Sequence, residues 1–185
     1  MQVHLRPLRG SHLVFPGWRL PVAQVIAFRH PLDGRYVSVV PWEGVAVLGT
    51  TDLDHREPLD DEPAITPDEV AYLMAAAEAV FPSLGLALND VVVTYSGVRP
   101  VVDSGESDPS RESREHLILE ERGLITAMGG KLTTFRLVAH DVLKVVQASF
   151  GNVPEPDRSR PTFRPAPDRL DAPLPQATAR RLLGR

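Results

Sequence analysis

Four runs of β-branched and aromatic residues crowd into residues 11–51 with only short turns between them, and turns that short join antiparallel neighbours. Ser11 to Phe15, Val22 to Phe28 and Arg35 to Val40 are separated by Pro16-Gly17 and by Pro31-Leu32-Asp33-Gly34, and Val45 to Thr50 follows Trp42-Glu43-Gly44. The Asp33-Gly34 pair is a hairpin signal. An antiparallel meander is therefore expected here. Residues 52–63, acidic and proline-punctuated, read as a loop. With 185 residues, 43% of them apolar, the chain is long enough to bury a core behind such a sheet.

Helical periodicity is confined to two long stretches. Pro67 to Phe81 is preceded by Thr66 as N-cap, and Glu69 completes a T-x-x-E capping box. Val70, Leu73, Met74, Ala77 and Phe81 fall on one stripe, which is expected to pack on the sheet. Asp90 to Val102 reads as a long strand, 103–113 as a polar loop, and His116 to Glu120 with Leu124 to Ala127 as a hairpin around Arg122-Gly123. The second helix is expected over Leu132 to Phe150. It would turn Phe135, Val138, Ala139, Val142, Val145 and Val146 inward and stop at Gly151. Residues 152–175 carry seven prolines and no periodicity, a linker or arm, ahead of a short helix over Gln176 to Leu183. The fold class predicted is α+β: a mixed, largely antiparallel sheet with two main helices.

Bulk properties exclude several functions. A net charge of −4 argues against a general grip on nucleic acid. The absence of cysteine rules out thiolate catalysis and disulfides, and suits a reducing cytoplasm. No apolar run reaches the roughly 20 residues of a membrane helix, and no signal peptide is visible. His4, His12, His30, His55, His116 and His140 contain no i, i+4 pair, so no metal site is expected. No G-x-S-x-G elbow or Walker loop is present.

The candidate site residues each have an ordinary reading when taken alone. A lone strand histidine such as His12 is more often structural than catalytic. Arg99, in Tyr95-Ser96-Gly97-Val98-Arg99-Pro100, comes where a strand is expected to end, beside a glycine that lets something approach the backbone, and suits an ion pair. Arg114 beside Glu115 suits a solvated charge, and Gly49-Thr50-Thr51-Asp52 a strand end with an Asx turn. Gly129-Gly130-Lys131-Leu132-Thr133-Thr134-Phe135-Arg136 is more pointed. A glycine pair leading into a helix aims bare N–H groups and the positive end of a helix dipole forward, with a lysine and two hydroxyls alongside.

In order and spacing, these stretches together resemble the FAD-dependent, quinone-linked glycerol-3-phosphate dehydrogenases. Those enzymes lie within the D-amino-acid-oxidase-like flavoprotein group. Arg9-Gly10-Ser11-His12-Leu13-Val14-Phe15-Pro16, Pro41-Trp42-Glu43-Gly44, Gly49 to Asp52, Tyr95 to Pro100, Ser113-Arg114-Glu115-His116 and Gly129 to Arg136 carry the resemblance over about residues 5–150. It implies a substrate-binding domain over 1–102 and the C-terminal segment of a FAD-binding domain over 103–150. Residues 151–185 would be a linker and the start of a truncated helical domain.

By the same resemblance His12 would face the substrate carbinol as a base, and Arg99, Arg114 and Lys131 would supply positive charge for the phosphate and the flavin edge. Gly129, Gly130, Lys131, Leu132 and Thr133 would meet the cofactor. The implied reaction takes sn-glycerol 3-phosphate to dihydroxyacetone phosphate with FAD and passes electrons to quinone. The implied location is cytoplasmic, with peripheral attachment to the inner face of the membrane. The G-x-G-x-x-G turn that would hold the FAD pyrophosphate is absent from the 185 residues, so this chain alone is not expected to retain FAD or be active. Two other readings remain open: a non-catalytic binding module, and a related flavoenzyme with a different substrate.

Overall fold

The computed structural model describes residues 4–151, 157, 159, 161, 163, 167 and 173–182. It divides into two compact units, Met1–Leu119 with Thr126–Lys131, and Glu120–Ile125 with Leu132–Arg185.

The first unit is built on one antiparallel sheet. Its strands are β1 (Leu5–Pro16), β2 (Ile26–Arg29), β3 (Tyr36–Trp42), β4 (Val45–Gly49), β5 (Leu53–Asp54) and β6 (Val93–Val102). The meander appears as β2-β3-β4, and β4 pairs with β1, His12 facing Gly49 and Pro16 facing Val45. Along its other edge β1 pairs with β6 from Leu5↔Val102 to Val14↔Val93. Three expectations change here. The meander expected through all four runs covers only β2 to β4, because β1 lies beside β4 and not beside β2. The 52–63 loop opens with β5, which resumes the β4 edge of β1 at Leu8↔Asp54 and Arg9↔Leu53. The strand expected over Val22 to Phe28 shortens to Ile26–Arg29, pairing only as far as Val39 on β3.

Alternation sorts the sheet into two faces. Leu13, Phe15, Val37, Val39, Ala46 and Leu48 point to one and are all buried with Leu73, Ala76 and Ala77 of α1 (Pro67–Val80). The capping box of α1 is present as expected: Thr66 Oγ1 accepts from Glu69 N, and Thr66 N donates back to the Glu69 carboxylate. The opposite face carries His12, Val14, Val47, Val93 and Tyr95. A hairpin of β7 (His116–Glu121) and β8 (Leu124–Gly129) follows the 103–115 segment. The turn at Arg122 and Gly123 falls where expected.

In the second unit the expected helix starts late. Leu132–Thr134 form a 3-10 turn, and α2 runs Phe135–Phe150 with no side-chain cap from Thr134. Two consecutive β-branched threonines resist the helical rotamer, which accounts for the delay. The inward stripe is only half realised: Val138, Val142, Val145 and Val146 are half-buried, while Phe135 and Ala139 are exposed. Phe135 meets the Phe163 ring at 5.9 Å instead. Gly151 ends α2 as expected. The proline-rich 152–175 stretch falls largely outside the described residues. The last short helix, α3, covers Gln176–Leu182, and Leu183 lies outside them.

Candidate active site

The face of the sheet turned away from α1 forms a cavity of about 530 Å³ whose walls include His12, Trp42, Gly49, Val93 and Tyr95. His12 leaves β1 on this face and stacks on Tyr95, its cross-strand partner on β6, with ring centroids 4.6 Å apart and planes 9° from parallel. On its other side it faces Gly49, where any Cβ would collide with the imidazole ring. His12 Nδ1 is buried without a hydrogen-bond partner among the described residues. Burial, and secondarily the charge of Arg99, hold the imidazole below its ordinary pKa of 6.5. The His12 ring is therefore held neutral at physiological pH.

Arg99 stands within β6, opposite Leu8, and not at a strand end as the sequence suggested. The ladder continues past it because β1 extends back to Leu5. The glycine that makes room is also a different one. Gly97 has open space above it, whereas a Cβ on Gly10 would fall 2.8 Å from Arg99 Nη2. Through that gap Arg99 Nη2 donates to Asp52 Oδ1 at 2.8 Å and to the Thr51 carbonyl at 3.3 Å.

Arg114 donates to the other carboxylate oxygen of Asp52 at 3.0 Å, so it is not the isolated solvated charge its neighbour Glu115 suggested. The polar 103–113 segment is tied down to deliver it. Glu112 is buried, accepting from Ser104 N, Ser104 Oγ and Arg6, and Arg6 also bonds Asp54 on β5. Asp52, Arg114, Thr50, Ser110, Arg35 and Tyr36 line a second cavity of about 430 Å³.

Asp52 is the site residue the sequence reading passed over, since it read the Gly49 to Asp52 run as a strand end with an Asx turn. Glu69 is another, read only as a helix cap. Its carboxylate is buried and accepts from Ser11 Oγ at 2.8 Å, Thr51 Oγ1 at 2.7 Å and Thr66, and it pairs with Arg9 at 3.1 Å. Burial pushes this carboxyl up, but the bonds from Thr51, Thr66 and Ser11 more than offset that, leaving it below its ordinary value. One helix-start glutamate thus fixes the residue before His12 and the residue before Asp52.

The double-glycine turn closes β8. Gly129 and Gly130 both take positive φ, 72° and 79°, and a Cβ on Gly129 would meet the Glu115 carbonyl, to which Gly130 N donates at 3.3 Å. Only glycine fits there. Lys131 follows, exposed, and Leu132 and Thr133, both exposed, open the second unit. The structure thus brings Arg99 and Arg114 together on Asp52, sets His12 in the other cavity within reach of the Arg99 charge, and sets Lys131 at the turn after β8.

A family model described as FAD dependent oxidoreductase matches residues 1–136. The chain belongs to the FAD dependent oxidoreductase family. Within this oxidoreductase family, a relative named aerobic glycerol-3-phosphate dehydrogenase from Bacillus subtilis strain 168 is 37% identical over 145 residues, covering 78% of this chain and 26% of the relative. A protein of the same name from Staphylococcus aureus strain USA300 is 36% identical over 143 residues, covering 77% and 26%. A solved glycerol-3-phosphate dehydrogenase from Bacillus halodurans, complexed with FAD, superposes with a TM-score of 0.70 at 32% identity, covering 84% of this chain and 29% of that one. The chain thus spans about a quarter of the length of the curated relatives it matches.

Proposed function

We propose that this chain is the substrate-binding part of a flavoenzyme that oxidises sn-glycerol 3-phosphate to dihydroxyacetone phosphate. Domains over 1–102 and 103–150, with 151–185 opening a further helical domain, belong to the same proposal. The observation that carries it is a neutral histidine close enough to Arg99 to feel its charge, with Arg99 and Arg114 converging on one carboxylate. Paired guanidinium groups fit a phosphate monoester dianion by charge and by fork geometry. A neutral imidazole within reach of the Arg99 charge suits the proton of a secondary alcohol. The relatives' names and the FAD-bound Bacillus halodurans structure support the same substrate and cofactor.

The chain's own residues divide the work. Arg99 and Arg114 would hold the phosphate, and His12, kept in orientation by the Tyr95 ring, would take the hydroxyl proton. Tyr95, Trp42 and Val93 would wall the reacting carbon from water. The formed turn at Gly129 and Gly130 would meet the cofactor, with Lys131 beside it as a further cation. FAD, when bound, supplies the acceptor for the hydride. Quinone as the final acceptor, and peripheral attachment at the cytoplasmic face of the membrane, complete the proposal. The relatives' designation as aerobic supports a respiratory acceptor. Among the described residues no helix is long and apolar enough to cross a membrane.

The test compares glycerol 3-phosphate with glycerol. In a flavin-loaded enzyme containing this segment, Arg99→Ala should weaken glycerol 3-phosphate binding by about 1.5–3 kcal/mol and leave glycerol oxidation nearly unchanged. His12→Ala should lower kcat by roughly 10²–10⁴-fold with KM little altered. Equal loss with both substrates in the arginine variant would remove the phosphate assignment, and full turnover in the histidine variant would remove the base.

A further inference from the structure

We propose that Asp52 is a positioning residue, whose negative charge holds Arg99 and Arg114 together as one preformed anion site. The inference rests on the reading of this arginine pair as the phosphate site. The two guanidinium groups take one oxygen each of the same carboxylate, at 2.8 and 3.0 Å. The Asp52 side chain is only 10% exposed, against 36% for Arg99 and 43% for Arg114, so the carboxylate lies beneath and the cations face outward. Each guanidinium carries five N–H donors, and these contacts with Asp52, plus the Thr51 carbonyl for Arg99, use only some of them; Arg99 Nε is buried without a hydrogen-bond partner among the described residues.

Two like charges this close repel: burial is the main influence against the ionised form of Arg99, the charge of Asp52 supports it, and that of Arg114 acts against it. Their backbones differ in what holds them. Arg99 is locked in the β1–β6 ladder, whereas Arg114 sits on irregular chain between the 103–113 segment and β7. Without a shared anion, Arg114 is free to swing away. Asp52 itself is fixed from both sides. Its carbonyl accepts from Arg35 Nη1 at 2.9 Å, and the preceding Thr51 is bonded to Glu69 and to Ser11 N. Position therefore passes from α1 through Glu69 and Thr51 to Asp52, and from Asp52 to both arginines. A site assembled before the ligand arrives spares the cost of ordering two long side chains on binding. The sequence places this aspartate directly after the two threonines, so the anchor and the clamp are neighbours in the chain.

The test titrates the 185-residue chain with glycerol 3-phosphate and with sulfate, following the side-chain signals of Arg99 and Arg114 by NMR. Asp52→Asn keeps the shape and removes the charge, and should weaken both ligands by about 10- to 100-fold, the usual size of a lost charge-assisted hydrogen bond. In an Arg114→Gln background the same substitution should have little further effect, because one cation needs no clamp; a loss from general loosening would persist there. In the wild-type chain saturated with sulfate, the Asp52 carboxyl 13C signal should keep the shift of a doubly bonded carboxylate, a reading that needs no variant to fold. Unchanged or tighter binding by Asp52→Asn, an equal loss in the Arg114→Gln background, or release of the carboxylate by sulfate would each overturn the inference while leaving the phosphate reading standing. A wild-type chain that binds neither anion would remove the phosphate reading, and this inference with it.

Discussion

His12 is defined by what surrounds it more than by its own chemistry. Tyr95 stacks on one side, Gly49 gives way on another, and Nδ1 is buried without a partner among the described residues. Burial disfavours the imidazolium, and Arg99 adds repulsion, so the native pKa lies below 6.5. The sign for stability follows. Between the native value and about 6.5 the unfolded chain binds a proton that the folded chain refuses, so His12's contribution is complete above the unfolded value and is lost as pH falls through the native one. A 1H NMR titration of the His12 ring should therefore show a midpoint below 6.5. Arg99→Gln should raise that midpoint only in part, since burial is the larger cause and remains. A wild-type midpoint at or above 6.5 would contradict this account of the base.

Among the elements, α1 does more than cover the sheet. Its N-terminal glutamate enters the sheet and bonds Ser11 on β1 and Thr51 between β4 and β5. If Glu69 were only half of a capping box, Glu69→Ala would cost no more than Thr66→Ala, about 1 kcal/mol. Because it is also a buried charge paired with Arg9 and bonded by two further hydroxyls, Glu69→Ala should cost about 3–5 kcal/mol in urea unfolding. Near-equal losses in the two variants would reduce it to a cap. The contrast shows what the sequence disclosed at this level. The capping box, the β2-β3-β4 meander, the β6 run and the Arg122-Gly123 hairpin are local patterns, and all were legible from periodicity and turn residues, whereas the place of β1 beside β4 was not. That the same carboxylate reaches Ser11, 58 positions away, is set by tertiary packing and leaves no local trace. The same holds for Asp52, whose partners Arg99 and Arg114 are 47 and 62 residues distant. Arg99 was singled out, but its passage over Gly10 depends on strand register, which the sequence left unread.

The two compact units differ in how much they bury. The first encloses a continuous core from Leu13 to Ala77. In the second, no described residue is buried: α2 exposes Phe135, Leu137 and Phe150, and its valines are covered only partly. Backbone hydrogen bonds that lie over little apolar contact open without global unfolding. Native-state hydrogen exchange on the 185-residue chain should therefore divide by unit. Amides of β1, β4 and β6 should exchange only through global unfolding, tracking the denaturant dependence of the whole first unit. Those of 135–150 should exchange faster and with little denaturant dependence, as expected of local opening. FAD gives an independent reading on the same chain. No strand–G-x-G-x-x-G–helix lies within the 185 residues, so the pyrophosphate has no glycine-rich turn to occupy, and added FAD should leave both the exchange pattern and Tm unchanged. Equal protection of α2 and β1 would show that partial burial is enough to fold the helix into the cooperative unit. A saturable rise in Tm with FAD would show that the turn at Gly129 and Gly130 holds the cofactor by its flavin end alone.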